Sequence, residues 1–188
     1  MRKGARTGEF GKWLLQYVEG EARFRDCTVY YDHGDQAHDP HVCAIQGFCG
    51  DALVSSNRLA DVDVVLATQS GEILCLIEIE ETSATPKTLI GDVFAILMCS
   101  RFAVREGGRR RYLEITPDTR LIVAGVGDAG GQQTEKVNEI IKPRLAQFEG
   151  PGDGIALGNV ELLVEESLSV VLERLRERLK QMLALRCR

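Results

Sequence analysis

The sequence predicts a single α/β domain in which helices flank a mixed β-sheet. Three observations lead to this prediction. The chain has 188 residues, close to the roughly 100 to 200 residues of one domain. It is 44% hydrophobic and 27% charged, as in ordinary globular proteins. The predicted elements follow the order helix, strands, helix, strand, helix, which favours a mixed sheet covered by helices.

The first part of the chain predicts a helix, a short strand and a β-hairpin. Apolar residues at helical spacing indicate the helix, and β-branched and aromatic runs indicate the strands. Turn residues between two such runs indicate the hairpin, with Gly71 in the turn. The predictions are a helix over 9–24, a strand over 28–31, a polar loop over 32–41, an ill-defined stretch to about 57, and hairpin strands over 59–67 and 72–80.

The second part predicts three helices and two strands. Thr85 suits the N-cap of the first helix and Pro86 suits its first position. Pro143 lies inside the second helix, where it is expected to produce a kink. The predictions are a helix from Pro86 to about Phe102, an Arg-rich loop, a strand over 121–126, a helix opened by Thr134, a strand over 160–164 and a last helix from about Glu166.

Charge is segregated along the chain. The formal net charge is −5, which excludes a protein coated in positive charge. Residues 101–112 nevertheless contain five Arg against one Glu, and residues 173–188 contain six Lys or Arg against two Glu. The rest of the chain is therefore strongly acidic. A nucleic-acid enzyme with a carboxylate site and a basic approach surface needs such a separation.

The sequence predicts a cytoplasmic protein without a membrane segment. No stretch approaches the roughly 18 apolar residues of a membrane span, because Asp92 interrupts the longest candidate, 89–99. The basic N-terminus has no uninterrupted apolar core behind it, so it does not match a secretory signal. The six Cys show no tight pairing pattern, and free thiols in a reducing compartment are expected.

Four carboxylates mark the predicted hairpin. Asp61 and Asp63 are two residues apart and are expected on one face of their strand, as are Glu78 and Glu80 on the partner strand. Like charges this close repel strongly unless a cation or protons neutralise them. Dense oxygen ligands of this kind suit Mg²⁺ or Mn²⁺. The alternative is an ordinary solvent face of an amphipathic sheet.

The segment from Asp63 to Glu80 resembles the hairpin of the PD-(D/E)XK nuclease superfamily, the restriction-endonuclease-like proteins. The family pattern has an Asp on one strand, then an acid, any residue and Lys on the next. By this resemblance Asp63 and Glu78 are metal ligands, with Asp61 as the alternative first ligand. The resemblance implies a restriction-endonuclease-like mixed sheet flanked by helices, in one domain over 1–188. Its core would span about 9–127 and be followed by a C-terminal extension over about 134–188.

Two positions depart from the family pattern. Ala60 and Val62 precede the candidate aspartates where the motif has Pro, which often varies. Glu80 stands where Lys is usual. Some superfamily members with Glu there remain active, and others place the Lys on the following helix, where this chain has Lys87. A catalytically inactive relative that binds nucleic acid or a protein partner would show the same pattern, and this reading is the alternative.

The resemblance implies metal-dependent hydrolysis of DNA phosphodiester bonds. Asp63, Glu78 and the carbonyl of Ile79 would hold Mg²⁺ or Mn²⁺, and Glu80 would orient or deprotonate the attacking water. Lys87 or an Arg would neutralise charge on the phosphate. In some members a Glu of the first helix joins the site. The candidates here, among which the sequence does not choose, are Glu9, Glu19 and Glu21.

Basic segments offer candidate DNA contacts. Arg101 and Arg105 are expected one turn apart at a helix end, and residues 109–111 are three successive Arg. These side chains suit phosphate binding, and a solvated loop with cations at a helix C-terminus is the alternative. For the C-terminal helix, a surface position with i, i+4 charge pairs or a homodimer contact is favoured over DNA binding.

Two other motifs are weaker. A zinc site from Cys27, His41, Cys43 and Cys49 lacks any Cys-x-x-Cys pair, so a solvated loop is favoured over structural zinc. The glycines over 125–131 do not match Gly-x-Gly-x-x-Gly, so a nucleotide loop is not favoured. A third general reading of the chain is an α/β protein that binds a small molecule or metal, which an apolar pocket away from the acids would support.

Overall fold

The computed structural model describes residues 4–50, 52–106, 108–128, 135–145 and 155–186. It is a mixed α/β structure with two β-sheets and flanking helices. The helices are α1 Ala5–Glu19, α2 Pro86–Leu97, α3 Lys142–Leu145 and α4 Leu168–Arg186. The strands are β1 Cys27–Tyr31, β2 Ile45–Phe48, β3 Arg58–Val62, β4 Val64–Thr68, β5 Ile73–Ser83, β6 Arg101–Glu106, β7 Arg109–Glu114, β8 Arg120–Val126 and β9 Val160–Glu165.

The larger sheet has five strands in the order β1-β4-β5-β8-β9. Strands β1, β4 and β5 are antiparallel neighbours, and β8 and β9 continue the sheet in parallel with β5. Both faces are covered. One face packs in a core with residues of α1 and α4, and the other with residues of α2 and the second sheet. Strands covered on both faces need continuous apolar runs, and β4, β5 and β8 have them.

The smaller sheet has four antiparallel strands in the order β3-β2-β6-β7. Its inner face contributes Phe102, Val104 and Leu113 to the core beside α2. Its outer face is largely exposed and includes Tyr112. Polar and apolar residues therefore alternate in these strands, as expected where one side of an antiparallel sheet meets water.

The smaller sheet corrects the prediction for residues 98–112. Helix α2 ends at Leu97 rather than Phe102, and the expected Arg-rich loop is the β6–β7 hairpin. Arg101 and Arg105 therefore lie on a strand, not one turn apart at a helix end. The core residues Phe102 and Val104 of β6 are two positions apart, as in a strand, but the arginines on both sides of them obscured this spacing.

The predicted first hairpin strand over 59–67 is also corrected. The chain bends at Asp63, so β3 belongs to the smaller sheet and β4 to the larger one. The hairpin of β4 and β5 is confirmed, with a register shift between Leu66 and Ala67. Gly71 in its turn has φ 101°, a conformation that favours glycine.

Most other predicted elements are confirmed with shifted ends, including α1, β1, β8, β9 and α4. The Oγ1 atom of Thr85 accepts a hydrogen bond from the backbone N–H of Thr88 at 3.2 Å, which confirms the predicted N-cap. A π-helical segment, Val137–Ile141, immediately precedes α3 and its Pro143, and such a wider turn is a common site of helix distortion. Thr134 lies outside the described residues.

The apolar stripe of α4 packs into the core of the same chain. Val171, Leu175, Leu179 and Leu183 are buried in the core that α4 shares with α1 and the five-stranded sheet. This stripe is therefore covered in the single chain. The described ion pairs of α4, Arg174 with Glu165 and Arg178 with Glu161, reach β9 instead of following the expected i, i+4 spacing. Within the described residues, no helix is both long enough and apolar enough to cross a bilayer.

Candidate active site

Asp63 and Glu78 are brought together where β4 begins beside β5. The Oδ2 atom of Asp63 accepts a hydrogen bond from the backbone N–H of Ile79 at 2.8 Å. The backbone N–H of Asp63 donates to Oε2 of Glu78 at 3.3 Å. The bend between the two sheets leaves the Asp63 amide free of strand pairing and directs it at Glu78. Two of the predicted ligands therefore lie side by side.

Glu80 and Asp92 complete an acidic cluster with Asp63 and Glu78. Glu78 and Glu80 alternate with Ile77 and Ile79, whose side chains lie in the core with α1 and α4. They therefore point to the opposite face, where α2 lies. Asp92 of α2 interacts electrostatically with both glutamates. Oε1 of Glu80 also accepts hydrogen bonds from the N–H and hydroxyl of Thr82.

Sequence reasoning missed Asp92 as a member of this cluster. A signal was present, because a single Asp within the broad apolar face of a helix is unusual. The sequence could not show which strand the helix would cover, and so could not pair Asp92 with the glutamates.

Burial and the charges of neighbouring carboxylates raise the pKa values of Asp63, Glu78 and Asp92. Burial is the main cause of the raised pKa of Asp63, offset in part by the hydrogen bond from Ile79 and by the nearby His33. Burial raises the pKa of Glu78 further, and the charges of Asp63 and Asp92 add to this effect. The pKa of Asp92 is raised by burial and by the charge of Glu80. The cluster therefore favours protons or a cation.

Asp61 does not join the acidic cluster. It lies on β3 in the smaller sheet, and its Oδ2 is 3.2 Å from Nη2 of Arg58. Its side chain is 54% exposed, against 13% for Asp63. The expectation that Asp61 and Asp63 share one strand face is wrong, because the chain changes sheets at Asp63. Asp92 takes the fourth position in the cluster instead.

His33 lies next to Asp63, with Nε2 at 3.5 Å from Oδ1. It has φ 64°, an uncommon value for a residue other than glycine. Helix α1 approaches it closely, since a β-carbon on Gly8 would lie 1.7 Å from the carbonyl oxygen of His33. Residue spacing alone does not distinguish His33 from the neighbouring His38 and His41.

Glu81 fixes the start of α1 at the same edge of the sheet. Its Oε1 accepts hydrogen bonds from the N–H and hydroxyl of Thr7 at 2.7 and 2.8 Å, and its Oε2 accepts from the N–H of Gly4 at 3.1 Å. Burial opposes ionisation of Glu81, but these bonds outweigh it and the pKa is lowered. A carboxylate at a helix N-terminus is electrostatically favourable.

The position of α1 indicates which of the three candidate glutamates, Glu9, Glu19 and Glu21, lies nearest the acidic cluster. Glu9 lies in the early turns near Glu81, where its Oε2 pairs with Nη1 of Arg6 at 3.2 Å. Glu19 ends α1, about 20 Å from its start at 1.5 Å per residue. Glu21 lies beyond it and pairs with Arg23 at 3.5 Å. Glu9 is thus the one of the three nearest the acidic cluster.

Lys87 is exposed in the first turn of α2. Helix α2 also contributes Asp92, so Lys87 lies five residues from the acidic cluster along the same helix. It forms no ion pair within the part of the chain that the structure describes. No described contact joins it to the acids.

The acidic cluster suits a hard cation in its donor chemistry. Among the described residues, no three His, Cys, Asp or Glu side chains are gathered around one point as a preformed metal site. Mg²⁺, however, is commonly held by one or two carboxylates, with water and substrate phosphate completing its shell. Two buried oxygen donors with raised pKa, Asp63 and Glu78, meet that smaller requirement.

The Cys and His residues over 27–49 do not form a described metal site. Nδ1 of His41 donates to the carbonyl oxygen of Val29 at 2.8 Å, because that oxygen can only accept. Cys43 is buried, Cys49 is exposed and Cys27 is intermediate, and within the described residues none of the three forms a disulfide.

The five candidate arginines have different surroundings. Arg111 donates to the hydroxyl of Tyr30 at 2.7 Å and to the carbonyl oxygen of Gln69, which ties the smaller sheet to the larger one. Arg110 donates to the carbonyl oxygen of Leu53 at 2.8 Å. Arg101, Arg105 and Arg109 are exposed.

Comparison with known proteins gives no family for this chain. Neither a scan against protein-family models nor searches of curated proteins and of solved structures find a match. Function is therefore inferred from the site itself.

Proposed function

We propose that this protein is a metal-dependent nuclease of the PD-(D/E)XK type that hydrolyses phosphodiester bonds in DNA. The proposal depends on one observation above all. Asp63 and Glu78 form one partly buried pair beside Asp92 and Glu80, in which the Asp63 N–H donates to Glu78 and the Ile79 N–H donates to Asp63. Buried carboxylates without a cation are costly, and perturbed acids of this kind are concentrated at functional sites.

The order of elements also supports the proposal. Helix α1, the antiparallel strands β1, β4 and β5, helix α2 and the parallel strand β8 follow the helix, meander, helix and strand order of that superfamily. The additional strands β2, β3, β6 and β7 form a separate sheet. In this reading they are insertions between core elements, and the proposed fold remains restriction-endonuclease-like.

Each acidic residue has a distinct proposed role. Asp63 and Glu78 would hold Mg²⁺ or Mn²⁺ with the carbonyl of Ile79, and the bound ion would supply an activated water and neutralise phosphate charge. Glu80 would accept a proton from the attacking water through a carboxylate oxygen. Asp92 would keep the local field negative, which strengthens cation binding. Lys87 would approach the phosphate from the first turn of α2.

The second candidate function is a nuclease-fold module that binds nucleic acid or a protein without cleaving it. Glu80 favours this candidate, because it replaces the usual Lys and its Oε1 atom is already bonded to Thr82. Both candidates predict a folded acidic cluster, so only a cleavage assay separates them.

The test is incubation of DNA and RNA with Mg²⁺ or Mn²⁺, comparing wild type with Asp63→Asn and Glu78→Gln. Each substitution keeps side-chain shape and removes a negative charge, so cleavage should fall by at least about 100-fold, or roughly 2.7 kcal/mol in the barrier. Asp61→Asn is the matched control, since it makes the same change two positions away on the other sheet. It should retain near wild-type cleavage.

Two results would contradict the nuclease proposal. Cleavage that survives in both Asp63→Asn and Glu78→Gln would remove the assigned site. Absence of cleavage by purified wild type with either ion, together with DNA binding, would favour the binding module.

A further inference from the structure

A cavity of about 690 Å³ opens on the outer face of the smaller sheet. Its floor includes Gln46 and Ala103, register partners on β2 and β6. The loop that contains His38 forms one wall, and Arg105 and Arg110 line the other. This volume is within the roughly 300 to 1,000 Å³ of sites that hold small molecules. One nucleotide unit of a nucleic-acid strand is of this size class.

The two arginines are directly opposed across the β6–β7 hairpin. Arg105 and Arg110 are register partners, which brings their β-carbons within about 4.5 to 5.5 Å. Like charges opposite each other destabilise a sheet. Among the described side chains, no carboxylate lies within ion-pair distance of either guanidinium. A bound anion would relieve this repulsion.

Arg110 is already oriented for binding. Its Nη1 donates to the carbonyl oxygen of Leu53 at 2.8 Å, and its guanidinium lies 6.0 Å from the ring centroid of Phe48. A guanidinium has five N–H donors, so others remain for an oxyanion. Two parallel N–H donors match the oxygens of a phosphate. Restraint of the side chain before binding also reduces the entropy lost on binding.

The acids near the cavity already have partners. Asp39 lines it, but its Oδ2 accepts from the Tyr31 hydroxyl at 2.6 Å and its Oδ1 accepts from the N–H of His41 at 2.9 Å. Nδ1 of His38 lies 2.8 Å from Oδ2 of Asp35. Among the residues that line the cavity, two positive charges, Arg105 and Arg110, therefore face one carboxylate, Asp39, whose oxygens are already hydrogen-bonded.

The arginine pair and Asp63 lie at the same end of the smaller sheet. Val62, the last residue of β3, pairs with Ile45 at the start of β2, and Arg105 lies at the end of β6 beside that start. Strand β2 lies between β3 and β6, so β3 and β6 are two strand spacings, or about 10 Å, apart. Strand β7 lies one spacing further, about 14 Å from β3. A DNA strand covers this distance in about three to four nucleotides at 3.4 Å each.

We propose that Arg105 and Arg110 bind a backbone phosphate of a nucleic-acid strand whose neighbouring segment reaches the acidic cluster. This inference rests on the proposed function for the identity of the ligand. The contact is to a phosphate, so it orients the strand and adds affinity without reading sequence. Arg111 is excluded from this role because its guanidinium is bonded to Tyr30 and Gln69.

The test is binding of labelled single-stranded and duplex DNA by fluorescence anisotropy in a metal chelator, so that no cleavage occurs. Arg105→Gln should weaken binding about three- to tenfold and lower the salt dependence of log Kd by about one. The double variant with Arg110→Gln should lose more than tenfold. Arg174→Gln is the charge-matched control on α4, on the opposite side of the five-stranded sheet, and should bind as wild type does.

Arg105→Gln is not expected to disturb folding, because the Arg105 side chain is exposed and makes no described hydrogen bond. Arg110→Lys adds a second measurement: it keeps the charge but loses the two-pronged donor, and it should bind several-fold more weakly than wild type. Binding by the double variant within twofold of wild type, or a loss equalled by Arg174→Gln, would overturn the proposal. Binding of inorganic phosphate without any binding of DNA would overturn it as well.

The binding experiment and the cleavage assay test the two proposals independently of each other. Loss of DNA binding in the arginine variants with no cleavage by wild type would keep the phosphate site and remove the nuclease. Cleavage with unchanged binding in those variants would remove the phosphate site and keep the nuclease.

Discussion

The two sheets of this protein differ in what covers them. The five-stranded sheet is covered on both faces, and Glu78 and Glu80 of β5 contribute to the acidic cluster. The four-stranded sheet has one buried face and one exposed face, and it carries the cations Arg105 and Arg110 outward. The acidic cluster thus lies where water is scarce, and the pair of Arg105 and Arg110 lies where water is abundant.

The acidic cluster and the exposed arginines therefore lie in two different electrostatic environments. Partial burial makes each carboxylate of the acidic cluster sensitive to its neighbours, because the local dielectric is low. The exposed arginines are screened by salt within about 10 Å. Substitutions in the larger sheet should therefore change stability and protonation, whereas those on the outer face of the smaller sheet should change only encounters with ligands.

The largest expected effect tests the burial contrast. Ile77→Ala, at a fully buried position of β5, should lower the free energy of unfolding by about 2 to 5 kcal/mol, because it removes packed methyl groups and leaves a cavity. Leu59→Ala on β3, where the side chain is 40% exposed, should cost about 0.5 kcal/mol or less. Urea denaturation measures both. Equal losses would show that the two sheets do not differ in this way.

The next largest effect is the pH dependence of stability, which tests the electrostatic environment of the acidic cluster. The folded-state pKa of Glu78 is raised from 4.5 to about 9 and that of Asp63 from 3.8 to about 6. The folded protein therefore holds more protons than the unfolded chain in this range, and metal-free stability should fall as pH rises from about 4 towards 9. Glu78→Gln should flatten this decline and gain about 1 to 3 kcal/mol at pH 8.

Thermal unfolding across pH in a chelator measures this effect, with Asp61→Asn as control. The Asp61 ion pair with Arg58 is exposed, and such pairs contribute little, so this variant should follow the wild-type profile. A wild-type profile that rises between pH 5 and 8 would contradict the burial of uncompensated acids. Added Mg²⁺ should restore stability to wild type at high pH, since a ligand of the folded state stabilises it.

The smallest expected effect concerns α2, which contacts both sheets. A β-carbon on Gly91 would meet no atom within 4 Å, so Gly91→Ala should raise the free energy of unfolding by about 0.5 to 1 kcal/mol through helix propensity. The contrasting variant is Gly8→Ala, which should destabilise because of the His33 carbonyl. A loss of stability in Gly91→Ala would mean that this side of α2 is not open.

The sequence predicted the larger sheet better than the smaller one for a physical reason. Strands such as β8 are apolar throughout, and that pattern is visible in the sequence without knowledge of neighbours. Strands β6 and β7 contain few apolar residues beside five arginines, and the arginines were interpreted as a loop. The proximity of Asp63 and Glu78 could be predicted from their positions on the predicted hairpin. Asp92, His33 and Glu81 enter through contacts between elements far apart in the chain, which residue spacing does not contain.

The change of sheet at Asp63 has a mechanical consequence. Val62 is the last residue of one sheet and Val64 is the first of the other, so Asp63 alone forms the shortest covalent connection between them. The other connections, from β1 to β2, from β5 through α2 to β6 and from β7 to β8, are longer. A displacement of the smaller sheet relative to the larger one would therefore be limited most directly at Asp63. The carboxylate that we propose as a metal ligand is thus held to both sheets at once.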